Sequence, residues 1–502
     1  MPAWLRPGGD TGLSLAAGAR RRRFRRRLRI PRELTGTELE IPIVSKRIQI
    51  LPGRKTRMWT FGGTFPGPTI RSTAGVATNV DFTHRLPRKA GKLSVHLHGG
   101  HTPAADDGRP GGPAGRRTAF FCDFDTETSG SNGANLIAPG QTRPYSYPGV
   151  EDGAPERGAF QWYHDHRCGR SARNIWRGLA GMWIVDEPDV EGPLNLPSGA
   201  RDIPLMVTDR AFNNRNQLAD PFDRPDKVPF DQVTGNRILV NGALTPHVKV
   251  PALRHRLRLV NASNFRSYNL YLEGGLEMLQ IATESGLMPA ALKRRRILLG
   301  PGERVEVVVD FAKARGKRVR LRSGRRPGAR KVGSKPFVGD LMQFRVGSAA
   351  PVDTSSPVTH SQPLRELPDW VDGALAAPSH TWRIEVGKGF NPRWLINGKT
   401  FDPDYADATA ELGEVVTWRL KNATAVAHLM HLHHTDWYML RRNGETPPAH
   451  ERCMKETFFM DPGDEIVVAG KMSDYTGKYV VHCHMLDHED HGLMSQFEVV
   501  EP

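Results

Sequence analysis

Hydrophobic and polar positions alternate along most of this chain in short runs. Val305–Asp310, Val415–Leu420 and Glu465–Ala469 are examples, and Gly, Pro, Asn and Asp punctuate the stretches between such runs. Period-two runs bounded by turn residues predict strands. Long stretches at helical spacing are scarce, so the pattern predicts β-sandwiches or barrels. No apolar run reaches the roughly 18 residues of a transmembrane helix, so no membrane partner is expected.

The pattern also repeats. Leu239-Val240-Asn241-Gly242 is echoed by Leu395-Ile396-Asn397-Gly398 and more weakly by Thr60-Phe61-Gly62-Gly63. Arg258–Ser263 is matched by Arg419–Thr424. A turn then recurs three times, as Pro139-Gly140-Gln141, Pro301-Gly302-Glu303 and Pro462-Gly463-Asp464, each before another strand pattern. The constant order implies three homologous β domains, about the number expected for 502 residues at roughly 150 residues per domain. Pro351–Pro368, rich in Pro, Ser and Thr, reads as a linker between the second and third.

Charge changes the picture at one end. The chain carries 70 Lys+Arg against 54 Asp+Glu, a net charge of +16. Ten arginines and one acid, Asp10, fall within residues 1–32, which leaves +7 for the remainder. A like-charged block of this kind reads as a solvated, disordered tail. A twin-arginine export signal needs an apolar stretch that Arg29-Ile30-Pro31-Arg32-Glu33 does not provide. Nucleic acid is not an expected partner, and the default compartment is the cytoplasm, with a spore coat or export as alternatives. The basic stretch Lys313–Lys331 reads as a solvated strand face. Four cysteines (Cys122, Cys168, Cys453 and Cys483) are too few for a disulfide scaffold and form no C-x-x-C pair. Cys122 and Cys168 are open between a pair and buried thiols, and Cys453 reads as structural.

Ten of the nineteen histidines form four short motifs: His96-Leu97-His98, His164-Asp165-His166, His428-Leu429-Met430-His431-Leu432-His433, and His482-Cys483-His484 with His488. The second repeat has none; its counterpart strand reads Val319-Arg320-Leu321-Arg322. On a strand, residues i and i+2 point to one face, about 6–7 Å apart. Four His-x-His pairs therefore offer eight imidazoles, enough for a cluster of metals. Cys483 faces away from His482 and His484, and His428 has the opposite parity to His431 and His433. His428, Cys483 and, through the following loop, His488 can thus form a separate His₂Cys set. Such a set with a weak axial position describes a blue-copper site. Structural zinc would want four strong ligands and does no redox chemistry. Paired Glu-x-x-His motifs of a di-iron carboxylate site are not found.

On these motifs the chain, from about residue 35 to 502, resembles the three-domain multicopper oxidases: laccases, bilirubin oxidases and phenoxazinone synthases. His98-Gly99-Gly100-His101-Thr102-Pro103 with Asp107-Gly108, and Asn174 through Gly181, look closest to the bacterial spore-coat laccase and phenoxazinone synthase branch. The resemblance implies an all-β fold of three cupredoxin-like Greek-key barrels: residues 35–198, 199–350 and 380–502, with a tail at 1–34 and a linker at 351–379. It implies four copper ions per chain. Type 1 copper would take His428, Cys483 and His488. Type 2 would take His96 and His431. The type 3 pair would take His98, His164, His166, His433, His482 and His484. The cluster would lie between the first and third domains. Asp107 matches an acid near type 2 copper, and Glu489 one near the type 3 pair, both suited to proton supply. Where the bacterial laccases carry an axial methionine, this chain has Leu493, followed by Met494. Leu493 is taken as a non-coordinating neighbour, with Met494 as the alternative ligand. His101, His434 and His491 lie beside ligand positions and read as their supports or as solvent-channel residues.

The implied activity is one-electron oxidation of phenols, aminophenols or related aromatics coupled to reduction of O₂ to water. Alternatives are a Cu(I) or Mn(II) oxidase, a bilirubin oxidase or specific biosynthetic oxidase, and a copper-binding or spore-coat structural protein. The scarcity of Met-rich sequence weakens the cuprous-oxidase alternative.

Overall fold

The computed structural model describes residues 23–110, 136–222, 233–325, 337–374, 377–387 and 393–502. Apart from one short hairpin, the strands form three pairs of sheets in chain order: four with five strands, then seven with five, then six with five. One five-stranded sheet in each pair has the same inner order. In the first it runs Thr69–Thr73, Ala180–Asp186, Phe160–Asp165, Val95–His98. In the second it runs His247–Val250, Gly339–Val346, Arg318–Ser323, Tyr268–Leu272. In the third it runs Ala408–Glu411, Met494–Val500, Gly477–Cys483, His428–Leu432. The first two strands of each set pair parallel and the rest antiparallel. The fold is all-β and cupredoxin-like.

Alternation drives this arrangement, because one face of each strand must be buried. Each sheet pair encloses its own apolar cluster, around Ile41, Phe61 and Phe82, around Leu205, Val307 and Phe344, and around Trp382, Trp418 and Trp437. A fourth cluster joins Trp162, Ile175 and Met182 to Met206, Val260 and Leu486. It packs residues of all three sheet pairs together, so the faces that carry the histidines are held against one another.

One expectation is corrected. The basic tail is not disordered throughout: residues 24–28 run along the edge of the second sheet pair, and Arg32–Leu34 join the edge of the first. Leu28 N–H donates to His247 O at 2.7 Å, Arg26 to Gln49 O at 2.9 Å, and Arg23 pairs with Asp340 at 2.9 Å. Counting charge predicts self-repulsion; it does not see that a sheet edge offers unpaired backbone groups and acids to this segment. Residues 1–22 lie outside the described residues. Among the described residues of the Lys313–Lys331 stretch, two arginines of its partly exposed strand face are paired: Arg322 reaches Asp340 at 2.8 Å, and Arg320 pairs with Glu273. The Pro351–Pro368 segment is an ordered strap. Ala291 N–H donates to Gln362 O at 2.9 Å, and Val358 and Leu364 are buried with Leu196 and Val308.

A helix contact locks the last loop to the first sheet pair. Helix Ser171–Arg177 has no side-chain cap of its own. Asp490 supplies one from the distant helix Leu486–Asp490, accepting from Ser171 N–H at 3.1 Å and Ala172 N–H at 3.0 Å. Asp490→Ala leaves buried N–H donors unpaired and is expected to cost about 2 kcal/mol, read as a lower unfolding midpoint. Asp490→Asn, which keeps one acceptor, loses less.

Candidate metal centre

The four histidine motifs sit on equivalent strands of the five-stranded sheets of the first and third pairs and just beyond their ends, with His488 in the helix Leu486–Asp490. In the first, His164 lies opposite His96, and Trp162 opposite His98. In the third, His431 lies opposite His482, and Met430 opposite Cys483. Arg318–Ser323, in the same position of the second sheet, carries arginines instead. Asp165 occupies the place that Cys483 holds in its own strand. It faces away from the imidazoles and accepts from Asn174 Nδ2 at 2.7 Å.

All eight imidazoles of the His-x-His pairs are buried and meet between the first and third sheet pairs. Ligand-capable atoms of His98, His164 and His484 lie within 4.8 Å of one another, as do those of His166, His433 and His482, and of His96, His98 and His431. His482 Nε2 is 3.2 Å from both His166 Nε2 and His433 Nε2. Burial, reinforced in most by neighbouring imidazoles, pushes His98, His164, His431, His433 and His484 well below the usual histidine range. His166 falls to about 3, burial outweighing the pull of Glu489. These rings are neutral and carry a lone pair. His96 Nε2, His98 Nδ1, His164 Nε2, His431 Nε2 and both nitrogens of His484 are buried without a hydrogen-bond partner. Buried polar atoms are paired as a rule, so unpaired nitrogens aimed at shared points fit metal ions.

The second group lies on the other face of the same strand. Cys483 Sγ is 3.6 Å from Nδ1 of His428 and 3.6 Å from Nδ1 of His488, and those nitrogens are 3.1 Å apart. Thr424 Oγ1, 2.9 Å from His428 Nε2, orients that ring. Among the described residues this set has three strong ligand atoms, the donor set of a copper site rather than of structural zinc. Leu493 packs in the core cluster that contains Cys483. Met494 pairs across the ladder with His482, shares its face, and packs with Cys168, Phe401 and Val480. Both histidine rings of this set are fully buried. Trp394 lies 4.3 Å from His488 and 5.0 Å from His428, and Phe265 is 5.3 Å from His488. A donor therefore meets aromatic cover before it meets an imidazole edge.

Asp107 and Glu489 both lie beside histidine rings of the cluster. Asp107 Oδ2 accepts from His433 Nδ1 at 2.7 Å, and its carbonyl from His96 Nδ1 at 2.6 Å. Glu489 lies between His482 Nδ1, at 3.2 Å, and His166 Nδ1, at 3.9 Å. Burial alone would push the Glu489 carboxyl up; the imidazoles on either side hold it down to about 2.

Sequence reasoning missed other charged groups. Glu456 is 3.0 Å from His98 Nε2 and paired with Arg304 of the second sheet pair. A cavity beside His96, His431 and His433 is also lined by Glu156, Asp436 and Glu456. Burial and then Glu151 push Glu156 up to about 8 and raise Asp436 well above the carboxylate range. The nearness of Asp436 to His433 was a usable signal; Glu456 and Arg304 had none, because their partners are remote in sequence. His101 bonds Asp474 at 3.0 Å and the His434 carbonyl, and His491 bonds the Asp487 carbonyl at 2.6 Å, so both support the site rather than joining it. Cys453 is buried, its thiol pushed up to about 12 by desolvation, and Cys122 lies outside the described residues.

Comparison with known proteins agrees with this geometry. Family models described as multicopper oxidase match residues 376–502 and 43–116. The chain is 30% identical to a laccase of Bacillus subtilis over 89% of this chain and 91% of that protein. It is 32% identical to a laccase of Haloferax volcanii over 89% of this chain and 79% of that one. A crystal structure of a laccase from Pediococcus acidilactici superposes with a TM-score of 0.77 at 25% identity, covering 95% of this chain and 94% of the other.

Proposed function

This chain belongs to the multicopper oxidase family, and on that premise we propose how its side chains divide the work of a laccase-like oxidase. The enzyme is a copper-binding oxidoreductase, and its family uses O₂ and an organic reducing substrate. We read the three sheet pairs as domains 35–198, 199–350 and 380–502, joined by the 351–379 strap. His428, Cys483 and His488 would hold type 1 copper; His96 and His431, type 2; His98, His164 and His484, one type 3 ion; and His166, His433 and His482, the other. Bound copper would supply one-electron oxidation at the first site and, at the other three, the place where O₂ is reduced to water by four electrons, one from each of the four ions.

One observation carries this reading: Cys483 closes the mononuclear set while its two chain neighbours, His482 and His484, belong to two different triads of the cluster. A single tripeptide therefore joins the two groups covalently. The chain's own residues do the rest. Burial disfavours the charged form of His98, His164, His166, His431, His433 and His484 and so leaves their lone pairs able to bind. Asp107 and Glu489 fix the outer nitrogens of His433 and His482, which sets ring orientation. Reduction of O₂ to two waters consumes four protons. Glu489 on one side of the cluster, and Asp107 with Glu156 and Asp436 on the other, are the carboxyls placed to hold or pass them.

The donor is a small electron-rich aromatic, a phenol or aminophenol. Trp394 and Phe265, themselves buried, close over the two type 1 histidines, so the donor passes its electron through aromatic cover. The acids that flank His488 in the chain are engaged elsewhere, Asp487 with Val233 N–H at 2.6 Å, Glu489 with His482 and Asp490 with the helix described above. A Cu(I) or Mn(II) oxidase would need such acids to receive a cation. An oxygen-electrode screen of the copper-loaded protein across phenols, aminophenols, bilirubin and Cu(I) tests this. Fastest uptake with phenols or aminophenols is expected; turnover of Cu(I) alone would refute the aromatic reading.

Leu493 would cap type 1 copper without bonding. Leu493→Met places a thioether on the face that Cys483 occupies, so the type 1 potential should fall relative to the parent, because an axial ligand tunes it. A redox titration of the blue absorption reads this directly, and an unchanged potential would move the axial position to another residue.

A further inference from the structure

Among the described residues the second repeat contributes none to the histidine and cysteine clusters, yet its turn reaches one of them. The three homologous turns share a left-handed glycine: φ is 91° at Gly140, 85° at Gly302 and 86° at Gly463. Their surroundings differ. A Cβ added at Gly140 or Gly463 would meet nothing within 4 Å, whereas one at Gly302 would lie 2.9 Å from His484 Cγ and 3.1 Å from His484 Nδ1. The backbone of this turn is thus in van der Waals contact with a cluster imidazole.

Two residues on, Arg304 is fully buried and braced from several sides. Its Nε donates to Phe160 O at 2.8 Å, Nη1 to Gly302 O at 3.2 Å and Nη2 to Glu284 O at 3.3 Å. It also pairs with Glu456, whose carboxylate lies 3.0 Å from His98 Nε2. A carboxylate only accepts, so His98 carries its proton on Nε2 and leaves Nδ1 as the free lone pair. His98 Nδ1 is the nitrogen found buried and unpartnered.

We propose that the ligand-free second domain is a positioning element of the trinuclear centre, with Gly302 seating His484 and Arg304, through Glu456, fixing which nitrogen His98 presents. One turn thereby sets two of the three rings of the His98–His164–His484 triad from a domain that binds no metal. This accounts for why only the second copy of the repeated turn must have glycine for space as well as for backbone angle. It rests on the assignment of that triad to one copper ion.

Copper bound per chain, measured by elemental analysis after dialysis against graded chelator, tests it. Gly302→Ala is compared with Gly140→Ala and Gly463→Ala, which impose the same backbone strain without a neighbouring ring. Gly302→Ala should hold cluster copper about 10- to 100-fold more weakly while keeping the blue absorption of Cys483; the other two should retain copper like the parent. If Gly302→Ala does not fold, Arg304→Lys reads the same quantity, since lysine keeps the charge but not the fork that spans three carbonyls and Glu456. Equal copper retention in Gly302→Ala, or in Arg304→Lys where that variant stands in, overturns the proposal. His164→Ala separates the two readings. Loss of copper there with full retention in the turn variants refutes the positioning role and leaves the triad standing; full retention in His164→Ala removes the triad, and the proposal with it.

Discussion

With serine at position 483, the copper-loaded protein is expected to be colourless and to oxidise phenols at no more than about a thousandth of the parent rate. The thiol of Cys483 lies 3.6 Å from both Nδ1 atoms of His428 and His488, at the centre of the mononuclear set. A serine hydroxyl is a harder ligand on a shorter bond and does not ionise at neutral pH. It supplies neither the thiolate that gives blue copper its colour nor the soft donor that favours the reduced ion. The same atom begins the covalent route to His482 and His484, so electron entry and electron transfer fail together. Cys483 is fully buried and serine is smaller, so the fold should persist and the eight imidazoles should keep their copper. Absorption, steady-state turnover and metal content check the three parts separately. Retained colour would place the mononuclear site elsewhere.

The second large effect concerns Glu489. Glutamine has the same shape, so packing between His166 and His482 survives, but the group can no longer carry a negative charge or exchange a proton. Positioned acid–base groups contribute about 10²–10⁴-fold, and the lower end is expected here because Asp107 serves the opposite side. Reoxidation of the fully reduced protein by O₂ should slow about 100-fold, while anaerobic reduction of the blue centre by a phenol should change little. Stopped-flow measurement of both half-reactions distinguishes them. Equal rates in parent and variant would leave Glu489 with a purely structural place beside the imidazoles.

Much of this centre was legible in the chain because strand parity is local. Alternation puts His482 and His484 on one face and Cys483 on the other wherever the strand lies, and the repeated motifs place equivalent strands in equivalent sheets. Other features were not legible, for a physical reason in each case. Residues 23–34 look like a repelling tail until the second sheet pair supplies partners for Arg23 and Leu28, and the first supplies them for Arg26, Glu33 and Leu34. Glu456 looks like one acid among many until Arg304 and His98 close on it from two other sheet pairs. Leu493 and Met494 are adjacent in sequence, and only the ladder pairing of Met494 with His482 shows which of them shares the thiolate's face.

The sequence by itself determined the donor chemistry, the division of one thiolate from eight imidazoles, and the β repeat that carries them, since residue type and i to i+2 spacing follow from covalent geometry. Only the tertiary structure decided that His98 joins His164 and His484, that His166 joins His433 and His482, and that a turn of the second sheet pair packs against the first of these sets. Those groupings depend on how three sheet pairs pack across their interfaces. Packing is set by the shapes and burial of residues far apart in the chain, which no local spacing encodes.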